Sequence, residues 1–162
     1  MQITEVFSPP QVVQVSDLAN EIWGEYYPPI IGHAQVEYML EKFQNPKAIL
    51  SQINEGYLYF LLSKEEIPLG YMAVEKRSSS LFVSKFYIKK DFRENGYAKE
   101  SLLFLKGLAK QQKLNSLSLT VNVHNTIAIK AYTSLGFIKT GTLVQDIGEG
   151  YTMDDYTFEL GC

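Results

Sequence analysis

The sequence has few of the residues that build disulfides or metal sites. Its 162 residues include one cysteine, Cys162, and two histidines, His33 and His124, which lie far apart. A single cysteine excludes an intramolecular disulfide and is typical of a reducing compartment. The cysteine and the histidines show none of the spacings that metal-ligand clusters use. The composition therefore predicts a cytoplasmic protein without a structural metal.

Long apolar runs and a targeting segment are also missing. No stretch approaches the roughly 18 consecutive apolar residues that suggest a membrane span. The N-terminal MQITEVFSPP has neither the basic start nor the apolar stretch of a secretory signal. A hydrophobic content of 46% with a net charge of −3 excludes a mainly disordered chain. We therefore expect one globular domain, residues 1–162, with no membrane partner.

Charge is unevenly distributed along the chain. Residues 1–84 contain five basic and ten acidic residues, and residues 85–139 contain ten basic and three acidic ones. Residues 140–162 contain five acidic residues and no basic one. A basic middle between acidic ends indicates a local anion site. The acidic overall balance and the lack of a basic aromatic platform argue against a nucleic-acid partner.

Hydrophobic periodicity and turn residues predict the order β-ααα-βββ-α-β-α-ββ. The predicted helices cover 9–24, 36–43, 46–54, 96–113 and 126–135. The predicted strands cover 2–7, 57–63, 67–77, 81–88, 117–123, 137–147 and 151–160. Residues 26–32, an aromatic and proline-bearing stretch, are interpreted as a loop. This order predicts an α/β fold, a mixed sheet with helices on both faces.

The most informative segment follows the fourth predicted strand, which ends near Ile88. Residues 93–98 then open a long helix, where the first backbone N–H groups have no internal partner and the helix dipole is positive. Small residues, Gly96 and Ala98, let a bulky anion approach the backbone. Nearby positive charge comes from Lys89, Lys90, Arg93 and Lys99. A diphosphate fits this pattern, whereas the P-loop and dinucleotide-binding glycine motifs are absent.

A second segment about 30 residues later makes the interpretation of the first segment more specific. The pattern R-x-x-G-x-A over 93–98 resembles the acyl-CoA diphosphate loop of the GNAT N-acetyltransferase superfamily. The pattern N-x-x-A-x-x-x-Y-x-x-x-G-F over 125–137 resembles the second cofactor segment of that family. The order of elements is also similar to the family's. The close resemblance covers about residues 67–140.

The resemblance implies a mostly antiparallel mixed sheet that is splayed between the fourth and fifth strands. It implies acetyl-CoA as cofactor, with the backbone near Tyr87 and Ile88 pairing with the pantetheine arm as a strand would. The amides of residues 93–98 would hold the diphosphate. The candidate cofactor-binding residues are Phe86, Tyr87, Ile88, Arg93, Glu94, Asn95, Gly96, Tyr97, Ala98, Asn125, Ala128 and Tyr132.

The resemblance also makes Tyr132 the candidate general acid, because a phenol with a pKa near ~10 can protonate the leaving thiolate. Tyr132 lies two helical turns beyond Asn125, so both fall on one helix face. Asn125 is also placed as a helix N-cap would be. The general base is left open, since the fourth strand lacks the carboxylate that many relatives have there. The alternatives are a water chain held by Ser84 or by backbone carbonyls, and the carboxylates Glu75, Asp146 and Asp154.

The acceptor pocket is expected between the stretch after the first helix and the last hairpin. The candidate substrate residues are Tyr26, Tyr27, Ile30, Ile31, Tyr38 and Tyr151. The acidic chain ends favour a small cationic amine such as a polyamine. The predicted function is acetyl-CoA-dependent N-acetylation of a primary amine by direct attack in a ternary complex. The alternatives are an acyl-CoA-binding module without transferase activity, and acetylation of an amino acid, a protein N-terminus or a lysine; a homodimer is also left open.

Overall fold

The computed structural model describes every residue from 1 to 162. The strands are β1 Gln2–Glu5, β2 Leu58–Lys64, β3 Ile67–Lys76, β4 Ser80–Ile88, β5 Ser116–Asn122, β6 Ile138–Gly148 and β7 Tyr151–Gly161. The helices are α1 Pro9–Tyr26, α2 Pro28–Ile31, α3 His33–Phe43, α4 Pro46–Asn54, α5 Tyr97–Gln111 and α6 Thr126–Ser134, with a short 3-10 turn at Lys90–Phe92. None of these helices has the length and apolar character needed to cross a membrane.

The strands form one seven-stranded sheet in the order β1-β2-β3-β4-β5-β7-β6. The pairs β1–β2, β2–β3, β5–β7 and β6–β7 are antiparallel. Strands β4 and β5 are parallel, and their register covers only Ser80–Phe82 against Ser116–Ser118. The predicted mixed, mostly antiparallel sheet with helices around it is therefore confirmed. The pairing of β4 with β5 ends well before β4 itself does.

The chain divides into two compact units, and the first contains residues 1–76 and 84–101. Helix α1 packs against α3, α4 and β3 in this unit. Its apolar residues recur at helical spacing, and Val12, Val15 and Ala19 are fully buried. The hydrophobic effect on this stripe holds α1 on the sheet, and so fixes the position of the residues that follow it.

The second unit contains residues 77–83 and 102–162. Its core is formed by apolar residues of α5, β5 and the last hairpin: Leu105, Ala109, Leu117, Leu119, Val121, Phe137 and Phe158. Strand β6 pairs along its length with β7 and is largely exposed. That a single domain covers residues 1–162 stays a prediction.

The structure corrects the interpretation of residues 26–32 as a loop. Residues Pro28–Ile31 form a helical turn, α2, and α3 begins directly after it at His33. Proline is tolerated at the first helical positions, where its missing N–H is not needed and its fixed φ is already helical. Gly32, with φ 85°, ends the turn in a conformation that favours glycine. Two adjacent prolines here begin a helix.

Candidate functional site

The predicted diphosphate loop leaves backbone N–H groups available for a ligand. The Gly96 carbonyl accepts the first helical bond of α5 from the Glu100 N–H at 3.1 Å. The helix therefore starts at a residue with no side chain to cap it, so the N–H groups of Tyr97 and Ala98 have no partner within the helix. Glu94 (φ 64°) and Gly96 (φ 81°) both adopt the left-handed conformation. Such turns aim successive N–H groups into a concavity that suits an anion.

The Arg93 side chain turns from this loop toward the end of α1. Its Nε donates to the Ile88 carbonyl at 2.9 Å, and its Nη2 and Nη1 pair with the Glu25 carboxylate at 3.1 and 3.5 Å. The guanidinium also lies 5.3 Å from the centre of the Tyr26 ring. The positive charge predicted for this loop is therefore partly balanced by a carboxylate of α1.

A second ion pair joins the same two elements. Lys89 Nζ lies 3.1 Å from Glu21 Oε2, and Glu21 stands one helical turn before Glu25 on α1. The other two predicted cations, Lys90 and Lys99, are exposed. Half of the predicted positive charge is thus paired with α1, and the rest faces solvent.

Strand β3 holds the end of β4 tightly on one edge. A Cβ added to Gly70 would lie 2.2 Å from the Tyr87 carbonyl oxygen, a distance that no side chain can occupy. The Lys89 N–H donates to the Leu69 carbonyl at 2.8 Å, which continues the contact past Ile88. Strand β5 does not pair with Phe86–Ile88 on the other edge. This is the stretch predicted to run beside the pantetheine arm.

An aromatic cluster brings the end of α1 onto β4. The hydroxyl groups of Tyr27 and Tyr87 are hydrogen-bonded at 3.0 Å. The buried Trp23 ring stands edge-on to both, at centroid distances of 5.6 and 5.4 Å. Tyr71 and Tyr26 extend the cluster beside Tyr87 and Tyr27, respectively. A predicted acceptor residue and a predicted cofactor residue, Tyr27 and Tyr87, are therefore in direct contact.

The other predicted acceptor residues, Ile30, Ile31, Tyr38 and Tyr151, are half-buried. Ile31 lies in α2, and Tyr38 in α3 accepts a hydrogen bond from Lys42 Nζ at 3.0 Å. Tyr151 opens β7 in the second unit. Their role in binding the acceptor stays a prediction.

The middle of β4 contains a half-buried lysine beside the predicted Ser84. Lys85 Nζ donates to Ser84 Oγ at 2.9 Å, so the serine hydroxyl already serves as an acceptor. Burial lowers the pKa of Lys85 to about 8, because desolvation disfavours the charged ammonium. In the sequence, the position of Lys85 within an otherwise apolar predicted strand indicated that its ammonium would be partly buried.

The second predicted motif forms one local structure in the second unit. Asn125 is buried and caps α6, its Oδ1 accepting from the Ala128 N–H at 3.2 Å. The half-buried Tyr132 ring stands edge-on to Phe137, with centroids 5.4 Å apart. The Phe137 N–H donates to the Tyr132 carbonyl at 3.0 Å, and Gly136 makes the turn with φ 100°. The spacing between Asn125 and Phe137 in the motif thus corresponds to a capped helix, α6, followed by the turn into β6.

The carboxylates considered as bases lie in different surroundings. Asp146 Oδ1 accepts from the Gly148 N–H at 2.8 Å in the last hairpin, and Asp154 is exposed. The sequence prediction missed Asp155, which is only 3% exposed and whose Oδ1 has no hydrogen-bond partner. Burial raises the pKa of Asp155 to about 6, and the neighbouring Asp154 carboxylate adds to this. Two adjacent aspartates in an alternating strand were the signal, since one of them must face inward.

Sequence comparison matches this chain to a known family. The family model described as Acetyltransferase (GNAT) domain matches residues 29–154. A Bacillus subtilis (strain 168) protein named uncharacterized N-acetyltransferase YycN is 29% identical over 92 residues, which cover 54% of this chain. The match spans 59% of that relative's own length. The region matched by the family model includes both motifs, residues 93–98 and 125–137.

Solved structures with this fold cover the whole chain. The PaiA N-acetyltransferase of Thermoplasma acidophilum, in complex with coenzyme A, has a TM-score of 0.78 at 18% identity, with 100% of each chain covered. A GCN5-related N-acetyltransferase of Rhodopseudomonas palustris has a TM-score of 0.82 at 11% identity, covering 99% and 95%. The ribosomal-protein-S18-alanine N-acetyltransferase of Escherichia coli has a TM-score of 0.70 at 16% identity, covering 99% and 94%. These likenesses establish a shared fold.

Proposed function

Because the chain belongs to the GNAT acetyltransferase family, we propose that it is an acetyl-CoA-dependent N-acetyltransferase acting on a primary amine. The single observation that carries the proposal is the backbone of residues 93–98. The start of α5 at Gly96 and the left-handed Glu94 and Gly96 support an anion site where the family motif places the diphosphate. A protein of the same fold is known in complex with coenzyme A.

The residues present fit acetyl-CoA. Apart from Gly96 and its two chain neighbours, no residue has an atom within 4 Å of the point where a Cβ of Gly96 would stand, which leaves room for a bulky anion against the backbone. Of the predicted amides of residues 93–98, that of Arg93 donates to the Lys90 carbonyl at 3.3 Å, so those of residues 94–98 would hold the diphosphate. The backbone of Phe86–Ile88 would pair with the pantetheine arm. Asn125, Ala128 and Tyr132 are assigned to the cofactor by their motif alone.

The proposed chemistry is direct attack of the neutral amine on the thioester carbonyl. The carbon–sulfur bond breaks as the carbon–nitrogen bond forms, and the thiolate takes a proton from the Tyr132 hydroxyl. The amine must also lose a proton to a base. The candidates are a water chain held by Ser84 or by backbone carbonyls, and the carboxylates Glu75, Asp146 and Asp154.

The acceptor we propose is a small cationic amine. Glu21 and Glu25, which belong to the acidic first segment, are paired with Lys89 and Arg93 and do not by themselves support it. The aromatic cluster at the end of α1 does, because aromatic faces attract alkylammonium groups. In this cluster Tyr26, Tyr27 and Tyr87 are partly exposed, whereas Trp23 and Tyr71 are buried.

The test is a panel of amines with acetyl-CoA, followed by release of the coenzyme A thiol. The panel contains polyamines, amino acids and peptides with a free N-terminus. We expect release with small cationic amines and much slower release with the peptides. Faster release with an alanine-terminated peptide would indicate that the acceptor is a protein N-terminus and not a small amine. Thermal stabilisation by acetyl-CoA without release for any amine would favour the binding module instead.

We propose a cytoplasmic location on the basis of cysteine usage. Cys162 is exposed and is the only cysteine, so the fold contains no disulfide. Labelling of cell fractions with an antibody to the purified protein tests this. A homodimer stays a prediction that sedimentation would test.

A further inference from the structure

We propose that Glu25 and Arg93 form a latch through which the filled diphosphate loop positions the acceptor wall. The inference rests on the proposed function, since it takes residues 93–98 as the diphosphate loop and Tyr26–Tyr27 as part of that wall. It assigns Arg93 a role that the family motif alone does not. Arg93 and Glu25 are positioning residues, and the backbone amides hold the anion.

The contacts of Arg93 carry the inference. The guanidinium meets a backbone carbonyl of β4, the carboxylate of Glu25 and the ring of Tyr26 at the same time. Forked guanidinium–carboxylate pairs fix direction as well as distance. The two side chains are 32% and 36% exposed, so the pair is partly shielded from solvent. A guanidinium engaged with these three partners would have to leave them to bind an anion at the loop amides itself.

The other end of the latch is continuous with the acceptor wall. Glu25 lies in the last turn of α1, directly before Tyr26 and Tyr27. Tyr27 is hydrogen-bonded to Tyr87 and stands edge-on to Trp23. Arg93 is the first residue of the loop, so an anion that draws the loop amides inward also moves the base of the guanidinium. That motion is carried to Glu25 and from there to the aromatic cluster.

The chain supplies its own control. Glu21 pairs with Lys89 at a similar distance from the same face of α1, but Lys89 precedes the loop. Loss of the Glu21 pair removes an ion pair of the same kind without touching the loop. A difference between Glu25→Gln and Glu21→Gln therefore reports the latch and not the general attachment of α1.

Trp23 is the only tryptophan and gives a direct readout. The probe is adenosine 3′-phosphate 5′-diphosphate, which carries the diphosphate of coenzyme A but lacks the arm that would reach β4. We expect the probe to change the Trp23 emission of the wild-type protein. The Glu25→Gln variant should bind the probe within about fivefold of wild type yet lose at least half of the emission change. The Glu21→Gln variant should behave as wild type.

A double-mutant cycle separates positioning from direct binding. With a latch, Arg93→Gln and Glu25→Gln weaken coenzyme A binding to a similar extent, and the double variant is no weaker than either. If the guanidinium itself held the diphosphate, Arg93→Gln would lose at least tenfold while Glu25→Gln bound normally, and the latch would be wrong. A full emission change in Glu25→Gln would overturn it as well. Failure of the wild-type protein to bind coenzyme A would instead refute the proposed function, which calorimetry decides independently.

Discussion

The hydroxyl groups of Tyr27 and Tyr87 are hydrogen-bonded at 3.0 Å, although the two residues are 60 positions apart in the chain. Tyr27 directly follows α1, and Tyr87 lies on β4 in the stretch proposed to run beside the pantetheine arm. The contact fixes the predicted acceptor wall to the predicted cofactor strand within one compact unit. A change that moves the acceptor wall is therefore expected to shift the cofactor strand as well, and the reverse.

The proposed general acid is tested by Tyr132→Phe. Loss of the hydroxyl should lower kcat by about 10²-fold or more, because the leaving thiolate loses its proton donor. The KM for acetyl-CoA should stay within about twofold, since the ring remains against Phe137. Steady-state kinetics at saturating amine measures both values. Tyr57→Phe is the control, and an unchanged kcat in Tyr132→Phe would remove Tyr132 from the mechanism.

The close approach of β3 to β4 is tested by Gly70→Ala. The new methyl group would meet the Tyr87 carbonyl oxygen, so the strands must separate at a cost of about 1–3 kcal/mol in the free energy of unfolding. The KM for acetyl-CoA should rise too, because the shift falls on its proposed strand. Gly107→Ala is the matched control: nothing lies within 4 Å of its added Cβ, and alanine is the better helix former. Urea unfolding that gave the two variants equal stability would contradict the packing described for Gly70.

Burial of Asp155 predicts a pH-dependent stability. Its folded pKa of about 6 lies above the ordinary 3.8, so the folded state holds the proton more tightly. Stability from this group is present below pH 4 and is lost as the pH rises through 6. Asp155→Asn should therefore gain stability over wild type at pH 8 and show little difference at pH 3.5. Urea unfolding at both pH values measures this difference, with the exposed Glu37→Gln on α3 as control.

Burial of Lys85 predicts the opposite pH dependence of stability, in the alkaline range. Its folded pKa of about 8 lies below the ordinary 10.5, so the unfolded chain binds the proton more tightly between these values. Wild-type stability should rise with pH across this window as the ammonium is lost. Lys85→Met should be more stable than wild type at pH 7, with the gain shrinking toward pH 10. The exposed Lys90→Met should show no such trend in urea unfolding at the two pH values.

The order of elements could be predicted because each has a local cause. Ser8 before Pro9 and Pro10 starts α1, and Gln11 completes the capping box. Asn125 caps α6, and Gly136 ends it with a positive φ. The helical turn Pro28–Ile31 was missed because two prolines and two tyrosines also suit a loop. Only the surrounding chain decides between these conformations.

The contacts that define the candidate site could not be predicted from the sequence. Arg93 and Glu25 are 68 positions apart, and their pairing follows from the packing of α1 on the sheet. Two adjacent aspartates indicate that one of them faces inward, but only the strand register, with Asp155 opposite Asn122 and Leu143, determines which one. Spacing located the cofactor motif, whereas tertiary packing determined the partners of its charges.

Mass spectrometry of the acceptor tests acetyl transfer to a primary amine most directly. The purified protein is incubated with acetyl-CoA and the amine panel, with Tyr132→Phe in parallel. We expect a small cationic amine to gain the mass of one acetyl group in the wild-type reaction, with much less product in the variant. No acetylated amine, in a sample that binds coenzyme A, would contradict it.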